Sequence, residues 1–189
     1  MQKIINRDWI HPRFHFKDTS VGIPRDRLFL MIDYWKEKFL IHKVHPGYTV
    51  GIALSVMDEL YVSALFASFE YGLKIVVLLK PPNDEYSEKP RYKAWFPLDV
   101  CILDTVSNIG EYYHNYYLKR SKIVIHRETE YQLPRRISKK NKSIILNPKD
   151  VCFLCTSSGT TNDPKLISHT HEFLDRKSTR LNSSHTDIS

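Results

Sequence analysis

A chain of 189 residues with 42% hydrophobic and 26% charged side chains is long enough for one domain with a packed core and too apolar for a disordered chain. No apolar run approaches the about 20 residues needed to cross a bilayer as a helix, and the most apolar stretch, Val50 to Leu79, is interrupted by Asp58, Glu59, Glu70 and Lys74. The formal charge of +7 admits an anionic ligand, a nucleic acid or a membrane surface as partner, but the densest basic cluster, Arg135, Arg136, Lys139, Lys140 and Lys142, lies in a polar stretch after Pro134 and reads as a solvated connector, so no nucleic-acid or membrane partner is expected.

Residues 1–23 have no clear periodicity. They also lack the apolar stretch and small-residue cleavage site of a secretory leader, which sets the expectation of a cytoplasmic protein with reduced thiols. Pro24 suits the first turn of a helix, and Leu28, Met31, Ile32, Trp35 and Phe39 repeat at helical spacing, which predicts a helix with one core-facing stripe. His45–Thr49 (HPGYT) is a turn. Thr49–Leu54 predicts a buried strand, 56–71 a helix capped by Ser55 and ended by Gly72, and Lys74–Leu79 a second strand stopped by Pro81 and Pro82. Strand, helix and strand of these lengths make a parallel pair.

The same alternation continues. Val100–Asp104 predicts a strand, 106–119 a helix and Lys122–Ile125 a strand; a charged connection then leads to the apolar Ser143–Leu146, the strand Val151–Thr156 and a further strand at Leu166–His169. The implied fold class is α/β, a parallel-type sheet with helices on both faces. Cys152 and Cys155 form a C-x-x-C, but on a strand they point to opposite faces, and no second ligand pair completes a zinc site, so the reading is structural thiols. His169 and His171, two apart, could share a strand face. No third ligand is evident, so a metal site is not expected; the preferred reading is that they help start a helix beginning near Thr170.

The segment with chemical content is Thr156–Lys165, TSSGTTNDPK. Thr156, Ser157, Ser158, Thr160 and Thr161 supply hydroxyls, Gly159 allows close backbone approach, and Lys165 supplies a cation. Placed at the end of a buried strand, hydroxyls, free N–H groups and one lysine suit a polyphosphate. The Walker pattern G-x-x-x-x-G-K-[ST] is absent. In order of residues, VCFLC followed by TSSGTTNDPKL, IS and HTH resembles the phosphate-binding loop of the adenylate-forming superfamily, which includes acyl-CoA synthetases, luciferases and peptide-synthetase adenylation domains. Asp150, entering the strand, fits that pattern too, and the upstream segment VHPGYTVGIAL resembles it more weakly. The likeness covers most of 28–174, with 151–171 the diagnostic part.

The resemblance implies that Thr156, Ser157, Ser158, Gly159, Thr160, Thr161 and Lys165 contact the β- and γ-phosphates of ATP, with Mg²⁺ as companion ion and a carboxylic acid as second substrate. Asn162 and Leu166 stand where the family has glycines; asparagine tolerates the left-handed region, whereas leucine restricts the backbone. The resemblance further implies that residues 1–174 are part of an N-terminal adenylation domain whose catalytic groups, adenine pocket and acyl pocket lie beyond Leu174, so this chain alone is expected to be inactive. Asp175–Ser189, DRKSTRLNSSHTDIS, has no apolar periodicity and closely resembles a translated sequencing-adapter read, which sets the expectation of a non-native tail. The alternative for the whole chain is a non-catalytic α/β module that binds a nucleotide or a partner.

Overall fold

The computed structural model describes residues 13–14, 23–54, 58–77, 98–105, 111–128, 130–134, 146–156 and 166–176. A two-residue ladder joins β1 (Arg13–Phe14) to β2 (Ile23–Pro24). Pro24, with φ −57° and ψ 140°, is the N-cap of α1 (Arg25–Ile41): its ring fixes φ where the helix begins and its missing N–H costs nothing there. The expected stripe Leu28, Met31, Ile32, Trp35 and Phe39 is fully buried.

The main sheet has six strands in the order β6–β5–β3–β4–β7–β8. These are β3 (Thr49–Ala53), β4 (Lys74–Val77), β5 (Leu98–Leu103), β6 (Ser121–His126), β7 (Val151–Thr156) and β8 (Leu166–Thr170). The first five named in that order run parallel, and only β8 is antiparallel, on β7. The expected parallel-type sheet is therefore present, mostly parallel with one antiparallel edge strand. Pairing direction leaves no trace in a four-residue segment, so LISH announces a strand but not its sense.

Between β3 and β4 lies α2 (Glu59–Glu70). Asp58, rather than the expected Ser55, is its N-cap: the carboxylate accepts from Tyr61 N at 3.1 Å. Gly72 ends the helix as expected, at φ 72°, and its carbonyl accepts from Gly47 N at 2.7 Å. Gly47 itself has φ 85°, and a Cβ there would meet nothing within 4 Å, so the backbone angle alone requires glycine.

Between β5 and β6 lies α3 (Glu111–Leu118); the 106–110 part of the expected helix lies outside the described residues. Of the apolar run 143–146 only Leu146 is described.

Alternation along the strands divides the core. Val50, Ile52, Ile75, Val100, Ile102 and Ile125 join the α1/α2 side, whereas Ala53, Val76, Cys101, Leu103 and Tyr117 join the α3 side. Helices thus cover both faces, as the sequence predicts. On the first side α1 packs on α2: Trp35 Nε1 donates to Leu60 O and Ser63 Oγ, both at 3.1 Å. Arg27 donates to Glu59 from Nε at 2.8 Å and from Nη2 at 2.5 Å, and Tyr131 Oη donates to the same carboxylate at 2.5 Å. The guanidinium, opposed by partial burial and helped by Tyr131, holds Glu59 below the usual carboxylate range, while burial and that hydrogen bond push Tyr131 up to about 12. No helix among the described residues is long and apolar enough to cross a membrane.

Candidate functional site

All five parallel strands end on one edge of the sheet, so the segments leaving β3, β4, β5, β6 and β7 emerge together. The chain steps from β3 to β4 on one side, then returns to place β5 on the other side of β3. The carboxyl ends of β3 and β5 therefore flank a topological switch point, where open α/β sheets form their binding crevice. β7, two strands away, delivers Thr156 at the same edge. The run VCFLCT forms a strand because alternate apolar positions pack on both faces: Phe153 joins the α1/α2 side and Leu154 the α3 side.

Of the expected phosphate-contacting residues, the structure places Thr156 as the last residue of β7. Ser157, Ser158, Gly159, Thr160, Thr161 and Lys165 lie outside the described residues. The two ends of that loop are fixed by the β7–β8 ladder, in which Thr156 pairs with Leu166. Nine residues of sequence separate these two register-matched strand ends.

At the switch point the structure brings together three charged residues that no local pattern joins. Arg127, just after β6, bonds through Nη2 to Asp58, the N-cap of α2, and its Nη1 lies 3.9 Å from Asp104, just after β5. Asp104 is fully buried and accepts from Thr105 N at 2.9 Å, while its own N–H donates to Ala53 O at 3.2 Å. Arg127 N donates to Leu103 O at 2.8 Å, which sets the root of its side chain beside Asp104. These contacts tie the start of α2 to the ends of β5 and β6.

The histidines separate. His169 is on β8, whereas His171 begins a short helix, α4 (171–176), with Thr170 Oγ1 accepting from Phe173 N at 3.2 Å as its cap. The expected helix start near Thr170 is thus observed, and the two histidines do not share a strand face, because the capping threonine ends β8 between them. Burial lowers the His171 pKa, opposed by Asp150. No group of three metal-ligating side chains occurs among the described residues. Cys152 is buried, with its thiol pushed up to about 11 by desolvation, and Cys101 is likewise pushed up to about 12. Cys155 differs: it is half-buried and sits 3.4 Å from His169 Nε2. The α4 helix crosses Leu174 and continues through Arg176, which pairs with Glu172 at 2.5 Å.

No protein-family model and no curated protein matches the sequence. Solved structures do match the fold. McyG A-PCP, complexed with phenylalanyl-adenylate, aligns over 91% of this chain and 32% of its own at 20% identity and a TM-score of 0.63. O-succinylbenzoate coenzyme A synthetase (MenE) from Bacillus subtilis, in complex with AMP, aligns over 96% of this chain and 46% of its own at 18% identity and a TM-score of 0.60. The anthranilate CoA ligase AuaEII, in complex with anthranoyl-AMP, aligns over 85% and 32% at 16% identity and a TM-score of 0.56. The chain spans less than half the length of each. Over that span it has the fold of the adenylate-forming enzymes, the superfamily whose loop its residues 151–171 resemble.

Proposed function

We propose that the chain is the phosphate-loop part of an ATP-dependent ligase that activates a carboxylic acid as its acyl-adenylate and releases pyrophosphate. The observation that supports this reading is that Thr156, the first residue of TSSGTTNDPK, ends β7, a parallel strand inside a sheet with the fold of adenylate-forming enzymes.

In the proposed reaction a carboxylate oxygen attacks the α-phosphorus of ATP, an acyl–oxygen–phosphorus bond forms, and the bond to the β-phosphate oxygen breaks. Negative charge then builds on the departing pyrophosphate. The hydroxyls of Thr156, Ser157, Ser158, Thr160 and Thr161 and the backbone around Gly159 donate hydrogen bonds to it, and Lys165 offsets its charge. Mg²⁺ entering with ATP would add to that neutralisation of charge. The remaining machinery belongs to residues after Leu174, with 175–189 a non-native tail, and the parent protein works in the cytoplasm.

The test begins by sequencing the native locus past the codon for Leu174. The frame is expected to continue, and protein from the extended frame is expected to support carboxylate-dependent exchange of pyrophosphate into ATP, while the 189-residue chain supports none. Exchange by the short chain above background contradicts the division of labour. A frame that closes as in the present sequence contradicts the enzyme reading and favours a non-catalytic α/β nucleotide- or partner-binding module.

A further inference from the structure

β7 and β8 pair with Cys155 opposite Ile167 and Phe153 opposite His169. Cys155 and His169 are therefore diagonal neighbours on one face of the ladder, a relation close enough for a long side chain to bridge. The imidazole does so, and the Sγ–Nε2 separation is 3.4 Å. Two rings hold it in that orientation. Phe173 stacks on His169 at 4.6 Å and 16°, and Phe153 lies on its strand-ward side at 6.4 Å and 29°. The face is open to solvent at its margin, since Ile167 and Phe173 are exposed. The β7–β8 ladder carries the imidazole, and His169 O also accepts from Cys152 Sγ at 3.5 Å.

We propose that Cys155 and His169 form a thiol-modification site in which Cys155 is a nucleophile for small soft electrophiles and His169 is its base. In the step tested here, His169 Nε2 takes the proton from Cys155 Sγ. The sulfur lone pair attacks the methylene carbon of iodoacetamide, the S–C bond forms, the C–I bond breaks and iodide leaves, with the proton remaining on the imidazole. The site lies one residue before Thr156, so an adduct on Sγ sits at the root of the candidate phosphate loop. Intramolecular oxidation to Cys152 is not an alternative fate, because three residue rises along the strand separate the two Cα atoms by roughly 10 Å, beyond disulfide reach. The proposal is independent of nucleotide binding.

The experiment treats the intact chain with iodoacetamide at pH 7 and follows Cys101, Cys152 and Cys155 separately by peptide mass mapping. Native Cys155 is expected to react about tenfold faster than the same residue in the urea-unfolded chain, which an inert half-buried thiol cannot do, and the other two cysteines are expected to be protected. His169→Gln is expected to remove that advantage while Cys101 and Cys152 stay protected, which shows that the sheet is intact. Native Cys155 reacting no faster than its unfolded counterpart overturns the proposal, as does an undiminished rate in His169→Gln. If His169→Gln exposes Cys101 and Cys152, the native-to-unfolded ratio in the unaltered chain decides alone.

Discussion

Replacing Trp35 by alanine is expected to destabilise the chain by about 3–5 kcal/mol, the range for removing a buried large aromatic. Trp35 is 1% exposed, its ring meets Tyr34 edge-on at 5.4 Å, and its Nε1 proton is shared between Leu60 O and Ser63 Oγ. Truncation opens a cavity between α1 and α2 and removes the indole donor from both acceptors. Ser63 Oγ can still donate to Leu60 O at 3.0 Å, so the polar loss is softened and the cavity dominates. Domains of this kind are stable by about 5–15 kcal/mol in total, so the variant sits near its unfolding threshold. Urea denaturation followed by far-ultraviolet circular dichroism measures the shift. Trp35→Phe, which keeps most of the volume, is expected to recover more than half of it. A loss below about 1 kcal/mol for Trp35→Ala would mean that α1 is not part of the cooperative core.

The second large effect is expected at the switch point. Arg127→Met keeps the apolar stem but removes the cation from two carboxylates, one of them fully buried. Removing one partner of a buried ion pair costs about 3–5 kcal/mol, and the Arg127 and Asp58 side chains, 18% and 27% exposed, bring the expectation nearer to about 2–3 kcal/mol through solvent screening. Adding Asp104→Asn to Arg127→Met is expected to return part of the loss, because the amide fills the same space without a buried charge. A double-mutant cycle by urea denaturation measures this, and full additivity of the two changes would show that Arg127 and Asp104 do not act as a unit.

The two residues also mark the limit of what the sequence discloses. The stripe on α1, the buried runs that became β3 to β7 and the glycine after α2 were all legible, because burial imposes period and apolarity on contiguous residues. The start of α2 was not: both Ser55 and Asp58 suit an N-cap, and the choice fell to Asp58, whose carboxylate also meets Arg127, 69 residues away. No local pattern carries that information. In the sequence Asp104 is only a strand end, and Arg127 is one residue of a charged connection. The antiparallel sense of β8 had the same standing, and it decides the chemistry around Cys155. C-x-x-C and H-T-H were each visible as motifs, but the pair that matters takes one residue from each, joined by the β7–β8 register. For the candidate loop, the sequence supplies the residue types and the structure supplies their point of departure at Thr156.

The central claim is that this loop grips a phosphate chain. Magnesium tripolyphosphate carries the phosphate chain of ATP without adenosine, so its titration into the chain by calorimetry reads the loop alone. Saturable binding is expected, weakened about tenfold or more by Lys165→Ala, the loss of one charge-assisted contact, and unchanged when Lys139 and Lys140 are both replaced by alanine. Equal affinity in the unaltered chain and Lys165→Ala, or binding that follows Lys139 and Lys140 instead, would contradict the account.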